Sequence, residues 1–314
     1  MAAAELTFRD GGPADLAGTF ALYGRVMHDA AQRQGVLSAG EQLTPAEIDS
    51  AWARERSLLE FIAAQPGCYV IAESDGKLVG YGRSTQIGDV DQITELMVDP
   101  SEQGEGLGRR LLERCWPTAP TGHGARVVIA TGAPSDLTLY TNFGVMPVAG
   151  HWRLRQRTEA YLERRSQDDD TGPGVHVLKS DRALSEWMRL EPSALGYERR
   201  SLHAFFARDR TCLAYLNGGG EALALCWVSS EGDIGPAVAA EPGDLLPVVL
   251  SALDRVAMTQ EPEYLDVFST TLSWWLLRRL RSLGFRVYWP SWILGSVPLP
   301  GLDRYMPTHP PHVL

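Results

Sequence analysis

The stretch that most constrains this chain is ELMVDPSEQGEGLGRRLLERCW, residues 95–116. Ile93 to Val98 reads as a strand that Asp99-Pro100 ends, and Leu107 to Trp116 reads as an amphipathic helix. Between them stand Gly104, Gly106 and Gly108. Successive small residues let backbone N–H groups point into one concavity, and a helix N-terminus there favours an anion. Arg109 and Arg110 in the first turn add countercharge, which is how a pyrophosphate is held without a metal. The dinucleotide fingerprint GxGxxG does not fit glycines at positions 104, 106 and 108. The P-loop needs Gly-Lys-Ser/Thr, whereas Arg109 follows the last glycine. Taken alone, the cluster also reads as a tight turn with no ligand.

The surrounding pattern alternates strands and helices. Leu6 to Arg9 reads as a strand and Pro13 to Gln34 as an amphipathic helix. Thr44, Pro45 and Glu47 form a capping-box signature for a second helix reaching about Ala64, which Pro66-Gly67 stops. Cys68 to Glu73 and Leu78 to Thr85 flank a hairpin turn, Ser74-Asp75-Gly76-Lys77. Arg126 to Thr131 is a strand and Asp136 to Phe143 a short helix with Gly144 as its C-cap. Val145 to Val148 and His151 to Arg155 then complete the sheet.

SQDDDTGPG, Ser166 to Gly174, is polar and rich in turn formers and reads as a linker. Beyond it the order returns. Arg210 to Leu216 and Glu221 to Val228 form a hairpin around Asn217 to Gly220. Ile234 to Ala239 is a strand, Leu245 to Met258 a helix and Leu265 to Phe268 a strand. Leu272 to Leu283 is a helix closed by Gly284. At about 150 residues per domain, 314 residues predict two domains, and the repeated order predicts two units of one architecture.

A net charge of −10 offers no basic face for a phosphate backbone, so nucleic acid is excluded as a partner and an amine substrate suits the field better. No run of about 18 apolar residues spans a membrane. Met1 to Asp10 carries no signal pattern, and Cys68, Cys115, Cys212 and Cys226 read as free thiols, which places the chain in the cytoplasm. His309 and His312 have HxxH spacing but sit in THPPH with no third ligand, so no metal is expected. Trp274-Trp275 and Trp289 to Trp292 read as core or domain interface, with a substrate wall as the alternative.

Residues 103–108 resemble the pyrophosphate loop of the GNAT superfamily of acyl-CoA-dependent N-acyltransferases, whose pattern is Arg/Gln-x-x-Gly-x-Gly/Ala. Leu139-Tyr140-Thr141-Asn142-Phe143-Gly144-Val145 is similar to that family's second motif, a tyrosine-bearing helix ending in Gly and an apolar residue. The resemblance covers about residues 5–156 well and the second half faintly. It implies an α/β (α+β) protein of two tandem GNAT-like units, each a mixed, mostly antiparallel central sheet flanked by helices. Residues 1–165 hold the intact acetyl-CoA motif, 166–174 the linker and 175–314 a degenerate unit.

The resemblance also implies roles. Gln103, Gly104, Glu105, Gly106, Leu107, Gly108 and Arg109 hold the pyrophosphate, mostly through main-chain N–H groups. Leu96, Met97 and Val98 pair with the pantetheine arm as if it were another strand, and one of their N–H groups polarises the thioester carbonyl. Tyr140 is the general acid for the departing thiolate, or else a helix tyrosine packed on the sheet. Glu95 is the candidate base, or else a surface or substrate-orienting carboxylate. The position three earlier, where several family members carry the base, is Gln92, so the base is Glu95 through a water, another carboxylate, or bulk solvent. His28 reads as a helix-surface histidine, with an acceptor-cleft role as the alternative.

The implied activity is acetyl-CoA-dependent transfer to a primary amine of a small molecule, by a monomer or homodimer. A non-catalytic acyl-CoA-binding or sensing protein is the alternative, and a protein-lysine or N-terminal acetylase is a third option. In the second half only Gly243 remains of the loop glycines, Pro242 lacks a donor, and Glu241 and Asp244 oppose an anion. One acetyl-CoA per chain is therefore expected, with the C-terminal unit as a structural partner shaping the acceptor cleft.

Overall fold

The computed structural model describes residues 5–38, 40–116, 124–167, 174–309 and 314. The chain divides into two compact units, Met1–Val128 with Leu139–Gly144, and Ile129–Thr138 with Val145–Leu314. The first unit contains β1 (Leu6–Asp10), α1 (Leu16–Arg33), α2 (Pro45–Ala63), β2 (Tyr69–Ser74), β3 (Lys77–Ile87), β4 (Val90–Val98) and α3 (Leu107–Cys115). β5 (Ala125–Thr131) and α4 (Pro134–Thr141) straddle the division. The strand order is β1-β2-β3-β4-β5, antiparallel throughout except for the parallel β4–β5 pair.

Local chemistry accounts for the starts and turns. Thr44 Oγ accepts the Glu47 N–H at 3.3 Å, and the Glu47 carboxylate accepts the Thr44 N–H at 2.8 Å, a complete capping box at the start of α2. The β2–β3 turn places Asp75 at φ 48° and Gly76 at φ 74°. Two consecutive left-handed residues match the right-handed twist of the flanking strands, so this turn sets the adjoining pairs Ser74↔Lys77 and Glu73↔Leu78.

The second unit contains β6 (Met146–Arg157), α5 (Thr158–Ser166), β7 (Val175–Leu178), α6 (Ser180–Leu195), α7 (Arg200–Asp209), β8 (Thr211–Leu216) and β9 (Ala222–Val228). It continues with β10 (Ile234–Ala239), α8 (Leu245–Thr259), β11 (Tyr264–Thr270), α9 (Trp274–Ser282), β12 (Arg286–Gly295) and β13 (Tyr305–Met306). Its strands follow the orders β12-β6-β11 and β13-β10-β9-β8-β7. The α8 residues Val248, Val249, Leu253 and Val256 pack with Leu213, Cys226, Leu280 and Phe285 in its core.

Two expectations change here. Val145 to Val148 and His151 to Arg155, expected as two strands, form the single strand β6, which pairs with β12 and β11. The break expected at Ala149-Gly150 does not form, because both residues stay paired with Ile293 and Trp292 of β12. Secondly, Trp274 and Trp275 are 69% and 64% exposed, Trp292 is exposed, and Trp289 is half-buried. The buried stripe of α9 runs through Leu276 and Leu280, which turns the tryptophan pair outward.

All four cysteines are free thiols, with Cys115, Cys212 and Cys226 buried. No helix is long and apolar enough to cross a membrane among the described residues. Residues 168–173 of the expected linker and His312 lie outside the described residues.

Candidate active site

β4 and β5 pair only from Val90↔Ala125 to Ile93↔Val128 among the described residues. On its other edge β4 stays paired with β3 as far as Gly80↔Val98. The β3–β4 register jumps from Ser84↔Ile93 to Arg83↔Glu95, so Thr94 is an extra residue, a bulge immediately before Glu95. A bulge bends its strand and re-aims the residues beyond it. Leu96, Met97 and Val98 therefore run towards the glycine loop with one edge that β5 does not occupy.

The loop begins with a 3₁₀ turn, Pro100–Glu102, capped by Asp99, which accepts the Ser101 N–H at 3.1 Å. The main-chain N–H groups of Gln103, Gly104, Glu105 and Gly106 make no hydrogen bond among the described residues. Gly104 has φ 90° and Gly106, the N-cap of α3, has φ 78°. A Cβ on either would meet nothing within 4 Å. The opening N–H groups of a helix also lack intrahelical partners. These donors suit an anion in contact with the backbone, and the open space over both glycines admits a diphosphate.

Two glycines of β3 let α3 approach the sheet. A Cβ on Gly82 would lie 2.9 Å from Cys115 Sγ, and one on Gly80 would lie 3.1 Å from Leu111 Cδ1. Gln103 ties the loop back to β4, since its amide donates to the Val98 carbonyl at 3.0 Å. The side chain of Arg109 donates to Glu113 at 3.0 Å, and Arg110 stacks over Phe8 at 4.8 Å. The basic side chains of the first turn thus have protein partners, and the glycine-loop amides add main-chain donors for an anion.

Alternation along β4 sends Leu96 and Val98 to the α3 face and Glu95 and Met97 to the α1 face. Leu96 lies beside Gly82 under α3. Met97 packs with Leu22, Val26, Ile71 and Tyr81. Glu95 is not a surface carboxylate. Its Oε2 lies 2.7 Å from Arg83 Nη1, with side chains 4% and 2% exposed, and its Oε1 accepts the Tyr81 hydroxyl at 2.8 Å.

Arg83 also stacks over Tyr69 at 4.3 Å, and the Tyr69 hydroxyl is 2.9 Å from Thr19 Oγ1. Burial, then Glu95, pushes the Tyr81 hydroxyl well above its usual range, so it stays protonated and donates. Burial opposes the Arg83 charge, but Glu95, Tyr81 and Tyr69 hold its pKa above the ordinary value. No sequence motif marks Arg83, Tyr81 and Tyr69. The available signal was an arginine within the otherwise apolar and small run Val79 to Thr85.

Tyr140, in the last turn of α4, is 7% exposed. The preceding residue, Leu139, has its Cδ2 3.8 Å from a Cβ built on Gly108, and Val98 Cγ2 is equally near that point. The tyrosine-bearing turn, the end of β4 and the start of α3 therefore meet. Gln92 is buried on β4 opposite Thr85 and Val127. His28 sits on α1 with Nε2 2.9 Å from the Glu41 carbonyl, a helix-to-loop contact. No group of three metal-ligating side chains occurs among the described residues.

The model of the Acetyltransferase (GNAT) family matches residues 25–144. The N-alpha-acetyltransferase RimI of Mycobacterium tuberculosis is 32% identical over 118 residues, covering 34% of this chain and 72% of the relative. The chain belongs to the GNAT acetyltransferase family.

Solved structures extend the likeness along the chain. A putative acetyltransferase from Pyrococcus horikoshii superposes with a TM-score of 0.71 at 16% identity, over 96% of this chain and 92% of that one. A tandem GNAT protein from the clavulanic acid biosynthesis pathway gives 0.54 at 15% identity, over 94% and 99%. At such identity the likeness concerns the fold, and it fits two tandem GNAT-like units in a mixed α/β chain. GNAT enzymes use acetyl-CoA, and at that general level this chain is an N-acetyltransferase.

Proposed function

We propose that this GNAT protein transfers the acetyl group of acetyl-CoA to a primary amine of a small molecule, at the first unit. The observation that carries the reading is the β4 edge beyond Ile93, continuous with the unbonded amides of Gln103 to Gly106. Acetyl-CoA supplies the activated thioester. Gly104, Glu105, Gly106, Leu107, Gly108 and Arg109 hold its pyrophosphate through main-chain N–H groups, with Gln103 fixing the loop to β4. Leu96, Met97 and Val98 pair with the pantetheine arm, and one of their N–H groups polarises the thioester carbonyl.

Tyr140 gives its hydroxyl proton to the departing thiolate. Glu95 receives the ammonium proton of the acceptor through water, because Arg83 and Tyr81 enclose its carboxylate. Arg83 and Tyr81 keep that carboxylate oriented. A net charge of −10 favours approach of a cationic amine.

A second reading has one specific support. The RimI relative is named as an N-alpha-acetyltransferase, which suits a peptide N-terminus as acceptor. The test is thiol release from acetyl-CoA against a panel of small primary amines and short peptides with free N-termini. Acetylation of small amines alone supports the proposal, and acetylation of peptides alone replaces it with the second reading. Tight acetyl-CoA binding with no transfer to any acceptor makes the protein a sensor.

A further inference from the structure

The second unit repeats the order of the first around the glycine loop: β10, a 3₁₀ turn Pro242–Asp244, then α8 from Leu245. Its glycine loop is missing. Both turns open on an acidic residue and a proline, Asp99-Pro100 and Glu241-Pro242, but Gln103 to Gly106 have no counterpart, because α8 follows Asp244 directly. The edge of β10 differs more. Among the described residues β10 does not pair with β11; its edge is taken by β13, with Ala237↔Met306 and Val238↔Tyr305 in antiparallel register.

The pairing extends to the Ala239 N–H, which donates to the Arg304 carbonyl at 3.0 Å. The strand is fastened from several sides. Tyr305 is fully buried and its hydroxyl accepts from Arg199 at 2.7 Å. Arg199 is in turn ion-paired with the equally buried Glu191 of α6. The Leu302 carbonyl accepts from Thr270 and from Ser273, which bind it to the end of β11. Gly301 lies so close to α6 that its Cβ would be 2.7 Å from Ala194 Cα.

We infer that residues 302–308 are a built-in substitute for the pantetheine arm, pairing with β10 as the cosubstrate pairs with β4 and closing the second unit to acyl-CoA. The comparison with β4 rests on the function proposed above; the occupation of β10 by the chain itself does not. The arrangement gives one acyl-CoA site per chain. It also explains how the second unit keeps a strand edge that would otherwise carry unpaired backbone groups.

Amide hydrogen exchange on the intact chain, with and without saturating acetyl-CoA, tests this. The Ala239 amide should exchange as slowly as the central amides of β8 without ligand, and acetyl-CoA should slow exchange only within residues 96–109. Loop-like exchange at Ala239, or ligand-induced slowing across 237–245, overturns the inference. If acetyl-CoA slows nothing anywhere, the proposed function fails while the Ala239 rate still decides the occupation of β10. Tyr305→Ala supplies an independent arm: Ala239 should exchange about a hundredfold faster once that buried ring is removed, with the amides of β1 to β3 unaltered. An unchanged Ala239 rate in this variant also overturns the inference. If the variant unfolds the whole second unit, the intact-chain rates decide.

Discussion

The Arg83 guanidinium lies 2.7 Å from the Glu95 carboxylate across the β3–β4 pair, with both side chains at most 4% exposed. Opposite charges at that depth stabilise each other only as a pair, because either alone would be an uncompensated buried charge. The Thr94 bulge brings them face to face.

Breaking that pair from one side should be costly. Arg83→Met is expected to destabilise the first unit by about 3–5 kcal/mol in denaturant unfolding, as Glu95 is left buried and unpaired. Replacing both, Arg83→Met with Glu95→Leu, should recover most of that loss. A double variant as unstable as Arg83→Met alone would show that the two side chains do not act as a unit.

Tyr140→Phe keeps the packed ring and removes the hydroxyl. Turnover is expected to fall by about 10²–10⁴-fold, the range for general acid catalysis, with acetyl-CoA affinity unchanged. The alkaline limb of the rate profile should disappear with the hydroxyl. Unaltered turnover and an unaltered limb would leave Tyr140 with a packing role only.

Burial alone lowers the pKa of His151 in the second unit to about 3. In the unfolded chain the imidazole titrates near the ordinary value of about 6.5. The folded pKa is the lower one, so the unfolded state gains the proton first as pH falls. The His151 contribution is complete above about pH 6.5 and is lost towards pH 3, at about 1.4 kcal/mol per pH unit. Urea unfolding of the second unit should therefore show a loss of about 2 kcal/mol from His151 between pH 7 and pH 5. His151→Gln should remove that share of the pH dependence. Equal losses in wild type and variant would contradict it.

Much of this arrangement was legible in the sequence. The capping box at Thr44, the Asp75-Gly76 turn and the glycine loop each follow from a few neighbouring residues, and all three stand where the pattern put them. Properties set across the sheet were not legible. Glu95 was visible as a carboxylate beside the loop, but its enclosure depends on Arg83 and Tyr81, 12 and 14 residues earlier on the neighbouring strand.

The same holds for β6, whose partners β11 and β12 lie more than 100 residues further along the chain. α5 carries no clear signal because four of its nine residues are charged and only Thr158 and Tyr161 are buried. Helical periodicity has too few apolar positions to register there. The two-residue strand Tyr305–Met306 is shorter than any alternation can reveal.

Calorimetric titration of wild type and Gly106→Val decides whether the Gly104–Gly108 loop holds the pyrophosphate of acetyl-CoA. Gly106 stands at φ 78° with open space where a side chain would project. Valine there both fills that space and strains the N-cap. Losing two charge-assisted hydrogen bonds to an anion removes about 3–6 kcal/mol, so affinity should fall by roughly a hundredfold or more. Wild type should bind one equivalent of acetyl-CoA, and Gly106→Val should bind it at least that much more weakly while the second unit melts as before. Equal affinity in the two proteins, or no binding to wild type, would show that this loop does not hold the pyrophosphate.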